Sequence, residues 1–349
     1  MPINSITLKN YRSYESASFE FGPGVTIIIG PNASGKTNLL EAVYTLCVGN
    51  SFRVSDKDLI RDGSAWARVE TLITDNERVL KIIESTPRTK KSFTINGIEK
   101  SRLMYEQIIP AVLFEPDDIR IIGGSPDRRR EYLDTLIANI SPTYKRSLAS
   151  FRRALKQRNN LLKQQGSRQN VFPWDVVMSR HAGQIVAERE AVIAQINNRI
   201  TAVYQTLSDK DETINIHYEH SLPTINYASH YLNRLEQMFS TDLAKGYTST
   251  GPHRDDMTIK INGNVASTHA SRGECRTITL ALKVIEMLLI EETRNEKPIL
   301  LLDDVFSELD GTRRRKLTEY LSGHQSIITT TDADVVDKKF AKIANFISL

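Results

Sequence analysis

Eight residues, Gly30-Pro31-Asn32-Ala33-Ser34-Gly35-Lys36-Thr37, constrain this chain more than any other segment, because they match the pattern G-x-x-x-x-G-K-S/T. Glycines let the backbone wrap an anion closely, and consecutive N–H groups at a helix N-terminus form a positively polarised nest. The lysine adds a point charge and the final hydroxyl can ligate magnesium. The flanks agree. Val25-Thr26-Ile27-Ile28-Ile29 is apolar on both faces, the pattern of a strand inside a covered, at least partly parallel sheet. Leu39, Leu40, Val43 and Leu46 then recur at helical spacing between Thr37 and Val48. The expected ligand is ATP with Mg2+, held by Gly30, Pro31, Asn32, Ala33, Ser34, Gly35, Lys36, Thr37 and Asn38. Lys36 is expected to act in catalysis and Thr37 on the metal.

Turnover needs a second element, a carboxylate-bearing strand beside the loop. Ile299-Leu300-Leu301-Leu302-Asp303-Asp304 supplies four apolar residues ending in two acids, a Walker B pattern. Asp303 is expected to hold magnesium and Asp304 to orient or deprotonate the attacking water. Because the two motifs lie near opposite ends of the sequence, the expected fold is an α/β P-loop head split between both chain ends.

Between them the pattern changes twice. Ile3 to Leu8 and Ala17 to Phe21 alternate apolar and polar residues ahead of the turn Gly22-Pro23-Gly24. Arg68 to Ile98 alternates again, with Asn96-Gly97 as a hairpin turn, and predicts a small antiparallel sheet; Ala111 to Phe114 is a further strand. From Pro126 the period becomes helical: Leu148, Phe151, Leu155 and Leu162 form one stripe, and Ile193, Ile196, Ile200, Val203 and Leu207 another. Strand patterns return at Thr213 to Tyr218, Met257 to Ile261 and Ile327-Ile328, with a long helix over Glu274 to Glu292. The expected division is 1–122 and 246–349 for the ATPase lobe, with a helical second lobe over 123–245.

Composition excludes several classes. Cys47 and Cys275 are the only cysteines and form no pair or cluster, against a disulfide framework or zinc site. The apolar runs are far shorter than the roughly 18 residues of a membrane span, and no signal peptide opens the chain, so a cytoplasmic, nucleoid-associated protein is expected. A net charge of +4 does not by itself identify a nucleic-acid binder. Its distribution is more telling: Arg120 to Lys163 holds eleven basic residues against three acids. Such clusters bind backbone phosphates without reading sequence. Arg128, Arg129, Arg146, Arg152, Arg153 and Lys156 are the candidate DNA contacts, alongside the plainer reading of solvated helix faces and pairing of Arg128 to Arg130 with acids. His253 and Arg254, beside Asp255 and Asp256, read as a polar junction between lobes or as a nucleotide or DNA contact.

Ser307-Glu308-Leu309-Asp310 looks like the D-loop of ABC-type ATPases, and Ala270-Ser271-Arg272-Gly273-Glu274 like a divergent signature motif. Seven blocks then occur in the order found in the RecF family of recombination-repair proteins. They are Leu8-Lys9-Asn10-Tyr11-Arg12-Ser13-Tyr14, Gly35 to Ala42, Ser51-Phe52-Arg53, Phe114 to Asp118, Gly124 to Asp134, Gly251 to Asp256, and Leu301 to Asp310. The resemblance runs from residue 3 to about 332. It implies an SMC-like head without a long coiled coil, an ATP-dependent homodimer, weak DNA-stimulated ATPase activity, and binding to double-stranded and gapped DNA. It also implies cooperation with RecR and RecO and, through them, with RecA. By position, Arg12 would lie near the nucleotide, the segment around Pro116 in the Q-loop region, and Ser271, Gly273 and Asp310 would reach the ATP of a second copy.

The sequence departs from that family at Arg272, at Cys275 and at Thr248-Ser249-Thr250, where apolar residues are expected before Gly251. Thr329-Thr330-Thr331-Asp332 stands where ABC transporters carry a switch histidine. The competing readings are a structural ATP-gated DNA clamp with negligible turnover, an ABC transporter nucleotide-binding subunit, and a metabolic P-loop kinase.

Overall fold

The computed structural model describes residues 2–73, 76–331 and 344–349. They form two compact units, Met1–Asp118 with Glu286–Leu349, and Ile119–Ile285.

The first unit begins with hairpin β1 (Ile3–Tyr11) and β2 (Tyr14–Glu20), then β3 (Val25–Ile29) and helix α1 (Lys36–Val48). Strands β4 (Trp66–Ile73), β5 (Asn76–Ile83), β6 (Lys90–Ile95) and β7 (Ile98–Lys100) follow, and complete an antiparallel sheet in the order β2-β1-β4-β5-β6-β7. Asn96 and Gly97, at φ 49° and 80°, make the tight turn between β6 and β7, as an asparagine that tolerates positive φ and a glycine without Cβ allow. Strand β8 (Ala111–Phe114) closes this first stretch.

The second unit is mainly helical. Short α2 (Arg120–Gly123) leads to α3 (Pro126–Ile140), α4 (Pro142–Lys163) and the 41-residue α5 (Arg168–Ser208). Strand β9 (Ile214–Glu219), helices α6 (Tyr227–Gln237) and α7 (Phe239–Lys245), strands β10 (Asp256–Ile261) and β11 (Asn264–Val265), and short α8 (Ala266–His269) follow. Helix α9 (Arg272–Arg294) starts in this unit, and its residues from Glu286 onward count with the first. The two helical stripes are buried except at Leu155, which is half-buried: Leu148, Phe151 and Leu162 on α4, and Ile193, Ile196, Ile200, Val203 and Leu207 on α5.

The chain returns to the first unit with β12 (Ile299–Asp303), α10 (Gly311–Leu321), β13 (Ser326–Thr330) and β14 (Asn345–Ser348). A five-stranded sheet in the order β14-β3-β13-β12-β8 results, every neighbouring pair parallel. The two chain ends thus build one sheet. Helix α1 packs among residues of both sheets, with Leu39, Leu40, Val43 and Leu46 in one core with Ile6, Leu8, Val69, Leu80, Ile28, Leu301 and Ile327. An apolar surface on more than one side of α1 is what a helix between two layers requires.

One boundary differs from the sequence reading. Packing ends the second unit at Ile285, whereas the sequence reading draws the helical lobe over 123–245. The reason is strand pairing: β10 is antiparallel to β9 in register from Asp256↔Glu219 to Ile261↔Ile214, so the segment after 246 completes the second unit's own sheet.

Candidate nucleotide-binding site

The loop from Gly30 to Gly35 has the backbone its residues allow. Gly35 sits at φ 103°, and a Cβ there would lie 2.8 Å from the Tyr14 hydroxyl. A Cβ on Gly30 would lie 2.6 Å from Ser34 Oγ. Helix α1 starts without a side-chain cap and without an acid in its first turn, so the first-turn amides keep their positive end for an anion. Lys36 is nearly buried, and its ammonium spans the loop, donating to Gly30 O at 2.7 Å and Pro31 O at 2.8 Å.

The carboxylates arrive from the next strand but one. Strand β13 lies between β3 and β12, pairing Ile328 with Ile27 on one side and Leu302 on the other. All three strands run parallel, which brings their C-terminal ends to one edge, the usual ligand edge of such sheets. There Thr37 Oγ1 donates to Asp303 Oδ1 at 3.0 Å. Asp304 follows in a left-handed conformation, φ 52°, and its Oδ1 is buried without a hydrogen-bond partner among the described residues, as is Ser34 Oγ. Unpartnered oxygens at a loop with open amides are what a metal-triphosphate complex would satisfy, so the residues fit Mg2+ and ATP.

The hairpin at residues 11–14 braces the loop. Tyr11 is fully buried, and Arg12 turns left-handed at φ 51°. Its Nε pairs with the buried Glu41 at 3.1 Å, and its Nη1 donates to Asp58 O at 3.0 Å. Glu41 also accepts from Ser51 Oγ at 2.5 Å. Asn38 Nδ2 donates to Ser13 Oγ at 2.9 Å and Tyr14 Oη to Gly35 O at 3.2 Å. Three of the sequence blocks therefore meet beside the cradle.

Known proteins can be set beside this geometry. Residues 2–346 match the family described as the RecF/RecN/SMC N terminal domain. The DNA replication and repair protein RecF of Lachnoclostridium phytofermentans is 36% identical over 339 residues, covering 95% of this chain and 93% of that protein. This chain belongs to the RecF family. RecF of Staphylococcus epidermidis is 35% identical over 352 residues, 97% of this chain and 95% of its own length. The solved recombination mediator protein RecF-ATPrS of the RecFOR pathway superposes with TM-score 0.86 at 32% identity, covering 96% of this chain and 94% of that one. An Smc head bound to the C-winged helix domain of ScpA shares the fold, with TM-score 0.52 at 16% identity.

Within this RecF-family chain two of the three residues assigned to a second copy's ATP, Ser271 and Asp310, have local partners. Ser271 immediately precedes α9, and Ser271 N and Oγ donate to Glu274 Oε2 at 2.8 and 2.9 Å. Glu274 N points back to Ser271 Oγ at 3.3 Å, a reciprocal cap. Lys210 and that cap hold the Glu274 carboxyl far down, at about 2. Gly273 lies in the first turn of α9 and Arg272 is exposed beside it. Asp310 caps α10, accepting from Arg313 N at 2.9 Å.

The basic residues divide into two groups. Arg158 lies fully buried, bonded to Asp175 at 2.6 Å, Asp242 at 2.8 Å and Thr248 at 2.8 Å, and so leaves the exposed set. Arg129 is spent on Asp256 through two bonds of 2.7 and 2.8 Å. Arg128 is exposed and pairs with Glu131 at 3.5 Å; Arg152, 62% exposed, reaches Asp134 at 2.8 Å. Arg146, Arg153 and Lys156 project from α4 into solvent, on a 22-residue helix with no acid in its sequence.

Thr248 and Ser249 correct the expectation of apolar residues before Gly251. Ser249 Oγ donates to Asp242 at 2.6 Å and Thr248 Oγ1 bonds Asn159 at 2.7 Å, so these hydroxyls satisfy the buried ion cluster. His253 lies within the second unit. It packs 5.8 Å from the Phe151 ring, bonds Thr248 O at 3.1 Å, and burial lowers its pKa to about 4, leaving it neutral. The acids beside it bind within the second unit, Asp255 to Tyr218 and Asp256 to Arg129, so this junction is internal to that unit. Asp332 lies outside the described residues.

Sequence reading missed Glu41 and Thr329. A buried carboxylate among the apolar positions of α1 was the available signal for the first, and hydroxyls ending an apolar strand for the second.

Proposed function

We propose that this RecF-family chain is an ATP-dependent DNA-binding protein of recombinational repair. In this reading Gly30 to Asn38 cradle the triphosphate, with Arg12 beside it, and Thr37 and Asp303 hold Mg2+. The ion, when bound, withdraws charge from the phosphates and makes the terminal one easier to attack. Lys36 leaves its loop carbonyls for phosphate oxygens. Asp304 orients the attacking water and receives its proton, its buried Oδ1 having no competing partner among the described residues.

ATP-bound copies pair so that Ser271, Gly273 and Asp310 of each complete the other's site, and slow, DNA-stimulated hydrolysis releases them. Arg146, Arg153 and Lys156, with Arg128 and Arg152 at the margin, take double-stranded or gapped DNA by its phosphates. Arg129 supports that surface through Asp256 and does not touch DNA. RecR and RecO, named with the family through the RecFOR pathway, are the partners through which RecA would be loaded at gaps, in the cytoplasm at the nucleoid.

The observation that carries the reading is the 3.0 Å bond between Thr37 and Asp303, which joins phosphate loop and carboxylate strand at one sheet edge. Sedimentation with and without a non-hydrolysable ATP analogue and gapped duplex DNA tests it. A monomer converting to a DNA-bound dimer only with nucleotide is the expected result; sedimentation indifferent to nucleotide would contradict it.

A further inference from the structure

Both acids of the carboxylate strand hang on one side chain that belongs to neither nucleotide motif. Thr329, fully buried near the end of β13, has a hydroxyl with one hydrogen to give and lone pairs to accept with. Its Oγ1 donates to Asp303 Oδ1 at 2.8 Å and accepts from Asp304 N at 3.0 Å. The alternative acceptor, Leu302 O, is farther away at 3.4 Å. The backbone of Thr329 adds a second anchor, its carbonyl accepting from Asp304 N at 3.2 Å. Asp304 stands at φ 52°, a conformation that costs a non-glycine residue energy and persists only where neighbours impose it.

From this geometry we infer that Thr329 is a positioning residue: its hydroxyl fixes the Asp303 carboxylate and the Asp304 backbone turn in the orientation used for Mg2+ and water. The inference rests on the nucleotide reading above. Thr37 and Thr329 converge on the same oxygen, Asp303 Oδ1, from α1 and β13. A Thr37 hydroxyl engaged with a cation puts its lone pairs there, whereas Thr329, buried one strand away, stays bonded to Asp303 and Asp304. It therefore remains the fixed anchor of Asp303. Outer partners that orient a metal's ligands are typically worth about 10- to 100-fold in affinity or activity.

The test is Thr329→Val, which keeps shape and removes the hydroxyl, with Thr329→Ser, which restores it. ATP is titrated into each protein with and without Mg2+, and turnover is followed against Mg2+ concentration. For Thr329→Val we expect Mg2+-free ATP affinity unchanged, the strengthening of ATP binding by Mg2+ reduced about 10-fold, and kcat down about 10- to 100-fold. Thr329→Ser should recover most of both. Should Thr329→Val not fold by circular dichroism, Thr329→Ala provides the same readings. A hydroxyl-free variant that keeps the full Mg2+ effect and wild-type kcat overturns the inference, as does a Thr329→Ser protein no better than Thr329→Val. Failure of wild-type protein to bind ATP at all would instead overturn the nucleotide reading beneath it.

Discussion

Thr37 and Asp303 stand 266 positions apart in the chain, yet the hydroxyl of one donates to the carboxylate of the other at 3.0 Å. Three parallel strands create the meeting, because β3 and β12 both pair with β13 and end at the same edge. Within this short radius lie an ammonium, two hydroxyls, two carboxylates and the open end of a helix. That combination suits a phosphate-metal complex and little else.

Asp304 carries the hydrolytic step in this account. Asp304→Asn keeps size and the left-handed turn, which asparagine tolerates, but removes the base. ATP affinity should stay within a factor of about two while turnover falls roughly 100-fold or more, the usual worth of a general base. ATP-bound dimers should accumulate in sedimentation. Wild-type hydrolysis by the variant would remove Asp304 from the mechanism.

The exposed face of α4 is expected to carry DNA. Arg153→Ala with Lys156→Ala should reduce the steepness of affinity against salt by about two phosphate contacts and weaken binding similarly for all sequences. Arg129→Ala provides the contrast, since its guanidinium is committed to Asp256; DNA affinity of its folded fraction should change little. Binding by fluorescence anisotropy over a salt series distinguishes the two.

Arg158 holds the second unit together. Its loss leaves Asp175 and Asp242, both fully buried, without their shared cation. Arg158→Ala should cost about 3–5 kcal/mol in urea unfolding, as breaking one side of a buried ion pair does. A loss below about 1 kcal/mol would mean that water or Arg168, which also reaches Asp175, takes over.

His253 gives the fold an acid-side sensitivity. Burial holds the ring neutral down to about 4, with Arg254 and Arg130 adding to the effect and the Thr248 carbonyl and Asp242 opposing it. The unfolded chain takes up that proton near the ordinary 6.5. Stability is therefore full above about pH 6.5 and declines as pH falls toward 4, by roughly 2–3 kcal/mol from this group. In His253→Gln the unfolding free energy should decline less over that interval; an unchanged slope would mean that the ring protonates in the folded state without penalty.

Much of this was legible in the sequence because strong local patterns coincide with the functional elements. Val25–Ile29, Ala111–Phe114 and Ile299–Asp303 are apolar on both faces as buried parallel strands must be, and Gly35 is needed for its φ. Strand β14 left no such trace, since Asn345–Ser348 is short and mostly exposed and exists through pairing with β3. Charge was the least legible quantity. Arg158 and Arg153 look alike in the basic run, and only the packing of α4 sends one into a buried acid pair and the other into solvent. Thr248 and Ser249 were unreadable for the same reason, their partners being Asn159 and Asp242 on other elements.

The central claim is that triphosphate sits between Lys36 and Asp303, and direct calorimetric titration of ATP with Mg2+ into wild-type and Lys36→Ala protein tests it. The account predicts saturable one-site binding to the wild type. In Lys36→Ala the loss of the charge that now spans Gly30 and Pro31 should weaken binding by at least about 100-fold, roughly 3 kcal/mol, with the fold intact. Equal affinity in the two proteins would place the nucleotide elsewhere and contradict the account.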